Sequence, residues 1–442
     1  MRTSVRLSGK RAPAGKPPSL GRGAEVRRAV DRYGTLVLSV AMLVLVVRSG
    51  SPGWTALRGV AVAALTWAAL RLEGGGPIAR GLALLAIGVV GTVAGAAIGA
   101  YHLMVIGPTA AAVAGLIALA AGLLQLIRGG AALVRATPGW WRLLAAPAVL
   151  ALLVFVMFPL TLAVNATNRP RNPNGAQTPA DRGLASTDVE ITTEDGVRLS
   201  GWYVPSHNGA AVLLLHGAGS TRSALLDHAE ILARHGYGTL LLDTRGHGRS
   251  GGTAMDFGWY GDLDASAAIS YLLSRPDVND GAIGVVGLSM GGEQAIVAAG
   301  SDERIRAVVA EGVTGEQAAD HGWLPGGING AIQRGLEWVM FTGADLLSDA
   351  SPPMSMRAAI ATAAPRPFLL VAGGAVADEV VAGRWFQEAA PSAVTVWTVP
   401  GSPHIGALAT APTAWERTVV SFLDAALAPE GGEPPEDPVV PG

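Results

Sequence analysis

The stretch Ile283-Gly284-Val285-Val286-Gly287-Leu288-Ser289-Met290-Gly291-Gly292 decides how the rest of the chain is read. Its first half is a short apolar run of the kind that forms a buried strand, and a helical run from Gln294 to Ala299 follows. Between them lies Gly-x-Ser-x-Gly, the pattern of a sharp strand-to-helix turn that projects a serine hydroxyl from the end of a sheet. Glycines are needed there because the backbone folds back closely on itself. The string alone is a weak match, and its strand-turn-helix context gives it weight.

Working outward, short apolar strands alternate with helical stretches from Val189 onward. Val189 to Thr193 and Val197 to Val204 flank Glu194-Asp195-Gly196, a hairpin signal. Ala211 to Leu215, Gly238 to Leu242, Ile283 to Val286, Ile305 to Ala310, Pro367 to Val371 and Ala393 to Val399 are the further strands. The alternation predicts a mostly parallel sheet with helices on both faces. More than fifty residues separate the strands ending at Ala310 and starting at Pro367. An insertion of that length is read as a helical cap at about 315–365, rich in apolar residues such as Trp323, Ile332, Trp338 and Phe341.

A serine hydroxyl is a poor nucleophile until a positioned base takes its proton, so Ser289 requires a histidine. His404, in Pro400-Gly401-Ser402-Pro403-His404, lies just after the last strand and ahead of the C-terminal helix. His207, His228, His235, His247 and His321 read as surface or loop residues. The histidine needs a carboxylate to hold its tautomer, and chain order points to the loop after the strand Pro367 to Val371. Asp378 is the first candidate there, with Glu379 read as a solvated first-turn residue and alternative acid. Glu311, at the end of the preceding strand, is the second alternative. His216-Gly217-Ala218-Gly219 follows the strand Ala211 to Leu215, where a backbone amide can stabilise an oxyanion. Ala218 and Met290 are the expected amide donors, and His216 reads as structural.

These pieces together resemble the bacterial α/β-hydrolase superfamily, in its serine-aminopeptidase-like and acyl-thioesterase-like branches. The resemblance covers residues 188–428 and rests on Asp195-Gly196 with Leu199-Ser200-Gly201-Trp202, His216-Gly217, Asp243-Thr244-Arg245-Gly246-His247-Gly248-Arg249-Ser250, the Ser289 turn, Asp378 and His404. It implies an α/β-hydrolase fold and a serine hydrolase acting through an acyl-enzyme, on an ester, thioester or short peptide. The Asp243 to Ser250 string takes from it a structural role beside the site. The acid loop departs from the family by one extra residue, which is why Asp378 and Glu379 both stand. No cofactor and no metal is called for. A membrane acyltransferase and a non-catalytic sensor keeping the fold are the rival readings.

The first third of the chain is of another kind. Half of all residues are hydrophobic and only 15% are charged, below the roughly 25% usual in soluble domains. Apolar runs at 33–47, 59–72, 81–127 and 143–165 predict an all-α transmembrane bundle over 33–165. The third run has no charged residue between Arg80 and Arg128 and reads as a hairpin of two spans turning near Tyr101 to Pro108, giving about five spans. The first two runs are short, and either could be interfacial or re-entrant instead. Residues 1–32 carry nine Lys/Arg and read as a disordered basic arm, 166–187 as an Asn/Pro/Gly-rich linker, and 429–442 as a disordered tail. The arginine-bearing loops 71–80 and 128–142 join the arm on the cytoplasmic side, which puts the hydrolase outside.

The expected partners are therefore a small-molecule or short-peptide acyl substrate and the lipid bilayer. Nucleic acid finds no basic stripe with interleaved aromatics. The chain has no cysteine, which excludes disulfides and thiolate chemistry. The formal net charge of -2 selects no partner.

Overall fold

The computed structural model describes residues 22–46 and 52–427. The expected tail and the first 21 residues of the expected arm lie outside them. Eight strands form one sheet in the order β1-β2-β4-β3-β5-β6-β7-β8: β1 Thr187–Thr192, β2 Arg198–Val204, β3 Ala211–Leu215, β4 Gly238–Asp243, β5 Ile283–Leu288, β6 Ala307–Glu311, β7 Phe368–Gly373 and β8 Val394–Val399. From β4 through β8 all neighbours are parallel, while β2 is antiparallel to both of its neighbours, β1 and β4. All eight strands were expected from the sequence.

Helices cover both faces of the parallel strands, so every residue of β3 through β7 is buried. Alternate residues serve opposite cores. Leu213, Leu215 and Val285 pack with the helices Gly261–Leu273, Met290–Ser301, Met356–Ala363 and Ala377–Gln387. Val212, Leu214 and Val286 pack with Leu226–Arg234 and Pro412–Leu427. This is the expected α/β-hydrolase architecture. The cap between β6 and β7 consists of Ala318–Trp323 and the long helix Gly327–Leu347. The last helix of the expected cap, Met356–Ala363, belongs to the core instead: Met356, Ala359 and Ile360 are fully buried against the helix that follows Ser289.

Among the described residues five helices, Glu25–Val46, Gly53–Glu73, Pro77–Ile106, Ala110–Ala136 and Gly139–Thr167, are long and apolar enough to cross a membrane. The third and fourth turn about Gly107 to Thr109, at the end of the stretch predicted for that turn. They pack backbone to backbone: a Cβ on Gly115 would strike the backbone of Gly99, and one on Gly129 would lie 2.7 Å from Leu85 N. The first helix begins at Arg22, so residues 22–32 of the expected disordered arm are helical. Their anchor is Asp31, buried and ion-paired with Arg80 and Arg128 of the third and fourth helices. Gln125 completes that end of the bundle by donating to Asp31 O (2.8 Å) and Thr35 Oγ1 (3.1 Å).

The segment 166–187 is fitted to the hydrolase rather than a free linker. Arg171 donates to Gly252 O (2.8 Å), Gly175 N donates to Ser223 Oγ (3.0 Å), and Thr178 and Asp181 form a capping box. Arg171, Asn172 and Arg182 of this segment find partners on the folded domain in Gly252 O, Gly219 O and Glu230.

Candidate active site

Ser289 sits at the turn between β5 and its helix with φ 53° and ψ −122°, a conformation an L-residue adopts only when its surroundings enforce it. The two glycines of the pattern make room for it. A Cβ on Gly287 would run into Gly291 O, and one on Gly291 would run into Leu215 O. Ser289 N donates to Glu311 O (2.7 Å), which ties the turn to the end of β6.

His404 Nε2 lies 3.0 Å from Ser289 Oγ, and its Nδ1 lies 2.6 Å from Glu379 Oε1. The carboxylate that meets the histidine is therefore Glu379, and the expectation of Asp378 is corrected. Both sit in the first turn of Ala377–Gln387, but Glu379 is buried and turned toward the sheet while Asp378 is exposed. Glu379 Oε2 also accepts from Gly373 N (2.7 Å), so the acid is locked to the end of β7. The Glu379 carboxylate, hydrogen-bonded to the ring, raises the His404 pKa above its ordinary value against the opposing effect of burial.

Glu311 does not reach the histidine ring. Its Oε1 accepts from Ala407 N (2.8 Å), bracing the loop that carries His404, and burial raises its pKa. The loop expected to supply an oxyanion amide lies against the serine, since a Cβ on Gly217 would be 3.4 Å from Ser289 Cβ. Ala218 follows in that loop, and Met290 opens the helix after the serine. His216 is buried and structural, as expected. Its Nε2 accepts from Thr244 N (3.2 Å), and burial lowers its pKa to about 3.

Several residues of the site were not singled out from sequence. His247, read as a surface or loop residue, lies in the loop after β4 and is buried there, and its Nε2 accepts from Gly219 N (3.3 Å) and lies 3.5 Å from Asp256. His228 and His321 are buried as well. Arg169, just past the fifth long helix, pairs with Asp256 at 2.6 Å and stacks on Tyr101 at 4.6 Å, and Asn172 donates to Gly219 O. The loop beside Ser289 is thus braced from the segment read as a linker. Glu293, on the helix after the serine, accepts from Gly315 N (2.9 Å) and Thr314 N (3.2 Å) at the start of the cap. Burial pushes its carboxyl up to about 7. No spacing pattern announces such contacts, because each joins segments distant in sequence.

A family model for X-Pro dipeptidyl-peptidases (S15 family) matches residues 166–393. The uncharacterized protein YfhR of Escherichia coli O157:H7 is 28% identical over 258 residues, 56% of this chain and 83% of that protein. The polyketide transferase grgF of Penicillium sp is 35% identical over 136 residues, 29% of this chain and 45% of that protein. Among solved structures, the Pyrococcus furiosus esterase Pf2001 is similar at 28% identity and a TM-score of 0.49, over 60% of this chain and 99% of that one.

Proposed function

Because this chain belongs to the X-Pro dipeptidyl-peptidase (S15) family, we propose that it is a membrane-anchored serine hydrolase that transfers an acyl group first to Ser289 and then to water. The observation that carries the reading is the unbroken line Ser289 Oγ, His404, Glu379, with separations of 3.0 and 2.6 Å. Ser289 attacks the carbonyl while His404 Nε2 takes its proton, and Glu379 stabilises the imidazolium so formed. The amides of Ala218 and Met290 receive the negative charge of the tetrahedral intermediate, at ~3 to 4 kcal/mol per donor. His404 returns the proton to the leaving group. Water then attacks the acyl-enzyme with His404 again as base.

An ester of a moderately apolar acyl group is the favoured substrate, with thioesters and short peptides in the same chemical class. The cap supports this: Phe341 stacks among Phe257, Trp259 and His321 at ring separations of 4.9 to 6.5 Å. The family match favours a second reading, release of dipeptides ending in proline, and an X-Pro p-nitroanilide tested beside p-nitrophenyl esters separates the two.

Membrane anchoring rests on the five long apolar helices and on what they expose. Leu57, Val60, Leu143, Leu150 and Phe158 are all more than half exposed, a surface that water would not tolerate and lipid would. The cap helix adds to it. Ile328, Ile332 and Leu346 fall by helical spacing on the face opposite buried Phe341 and Ala344, Trp338 lies at the flank between the two faces, and all four are exposed. An outward apolar face with a tryptophan suits the membrane interface.

The reading is tested by labelling the full chain with a fluorophosphonate. Wild-type protein should be labelled and Ser289→Ala should not, with turnover falling by several powers of ten because the three residues act as a unit. Persistent labelling of the variant would move the nucleophile elsewhere.

A further inference from the structure

The cap helix Gly327–Leu347 is a wall shared by two spaces. On one side, Phe341 packs on Trp259. Trp259 Nε1 donates to Glu316 O (2.8 Å), and a Cβ on neighbouring Gly258 would lie 3.2 Å from Met290 Cγ, so this face leads through Trp259 and Gly258 to the residue after Ser289. On the other side, Gly343 meets the fifth long helix, where its Cβ would lie 2.9 Å from Leu160 and 3.3 Å from Ala163.

Next to that contact is a cavity of about 300 Å³, walled by Val90, Val93 and Ile98 of the third helix, Leu160 of the fifth and Leu347 of the cap. Among all its lining residues only Arg58 and Asn168 are polar. A hydrated ligand would lose its hydrogen bonds against such walls, whereas a hydrocarbon chain loses none. Four of the helices long and apolar enough to span a bilayer line it, the first through Met42, Leu45 and Val46 and the second through Arg58 beside the third and fifth, so the nearest supply of hydrocarbon is the bilayer itself.

We propose that this cavity is an acyl-chain site that takes one chain of a bilayer lipid, and that the hydrolase acts on long-chain lipid esters drawn from the membrane. The proposal rests on the membrane-anchored serine-hydrolase reading and names its substrate class. The cap helix is the element that feels an occupied cavity on one face and the site on the other.

The test uses the full chain reconstituted in phosphatidylcholine vesicles, with p-nitrophenyl acetate as short ester and p-nitrophenyl palmitate as long one. Val90→Phe, which fills the cavity, should lower the ratio of kcat/KM for palmitate over acetate at least tenfold. Leu82→Phe, on the exposed side of the same helix, should leave the ratio unchanged. An unchanged ratio in Val90→Phe, or an equal fall in both variants, overturns the proposal. Should Val90→Phe fail to fold, a phosphatidylcholine with a diazirine in its acyl chain decides. It should crosslink to buried Val93 or Ile98 in the wild type, while crosslinks confined to exposed positions such as Leu82 overturn the proposal. Diazirine-bearing free palmitate capturing those buried residues where the phospholipid does not would also overturn it. Loss of the catalytic reading would show separately, as a wild-type protein that no fluorophosphonate labels.

Discussion

Glu379 Oε1 lies 2.6 Å from His404 Nδ1, while the preceding residue, Asp378, faces solvent from the same helical turn. Adjacent residues on a helix differ by about 100° in direction, so only one of two neighbouring acids can face the sheet. Glu379→Gln should therefore cost on the order of 10⁴ in turnover, because an amide favours the wrong tautomer of the histidine. Asp378→Asn should stay within about twofold, as for an ordinary surface change. Steady-state kinetics on one ester decides it, and a larger loss for Asp378→Asn would reverse the assignment.

The Glu379 carboxylate also sets the pH range of the reaction. His404 acts as a base only when neutral, and its pKa lies above the ordinary value of about 6.5. The acid limb of kcat/KM should thus fall off above pH 6.5 as pH is lowered, reporting the free enzyme. Removing the charge with Glu379→Gln takes away the main raising influence, so the residual activity should show its acid limb at lower pH. A limb that stays in place would mean that another group controls the titration.

Arg169 is expected to act on turnover from a distance. It joins Asp256 at 2.6 Å and lies against Gly219, whose amide is held by His247. Loosening this brace displaces the Ala218 amide from where the oxyanion develops, and such donors are effective only when positioned beforehand. Arg169→Ala should lower kcat by roughly tenfold with little change in KM, as expected when an interaction made in the transition state is lost. A rise in KM at constant kcat would assign Arg169 to substrate binding instead.

What sequence could and could not disclose follows from the range of the interactions. The parallel strands were legible because each is a continuous apolar run bounded by turn residues, and Ser289 because its elbow is built from neighbours in sequence. His404 was legible from its place after the last strand. Between Asp378 and Glu379 the decision depends on how Ala377–Gln387 is rotated against β7, a tertiary matter. The role of 166–187 was hidden for a related reason: Asn172 and Arg169 look like turn and linker residues until Gly219 and Asp256 stand beside them. Asp31, one of two acids among nine basic residues in the arm, gave no sign that it would be buried between Arg80 and Arg128.

The side of the membrane on which Ser289 works can be argued from the same contacts. Arg80 and Arg128 meet Asp31 at one end of the bundle, near Arg27, Arg28 and Arg32. The turn Gly107 to Thr109 marks the other end, and there His102 Nε2 lies 2.8 Å from Asn168 O, at the start of the segment leading to the hydrolase. A basic end of this kind stays in the cytoplasm, which predicts that the hydrolase lies outside it. The sequence alone left this hanging on whether both short runs, 33–47 and 59–72, cross the membrane. In the folded bundle the charged end and the hydrolase end lie at opposite ends of the third, fourth and fifth helices, which supports the same side without reference to the first two. A reporter active only outside the cytoplasm, fused after Thr167 or after Leu427, should therefore be active at both junctions, and one fused within 137–138 should be silent. Activity from a cytoplasm-only reporter after Leu427 would invert the orientation and turn Ser289 toward cytosolic acyl substrates.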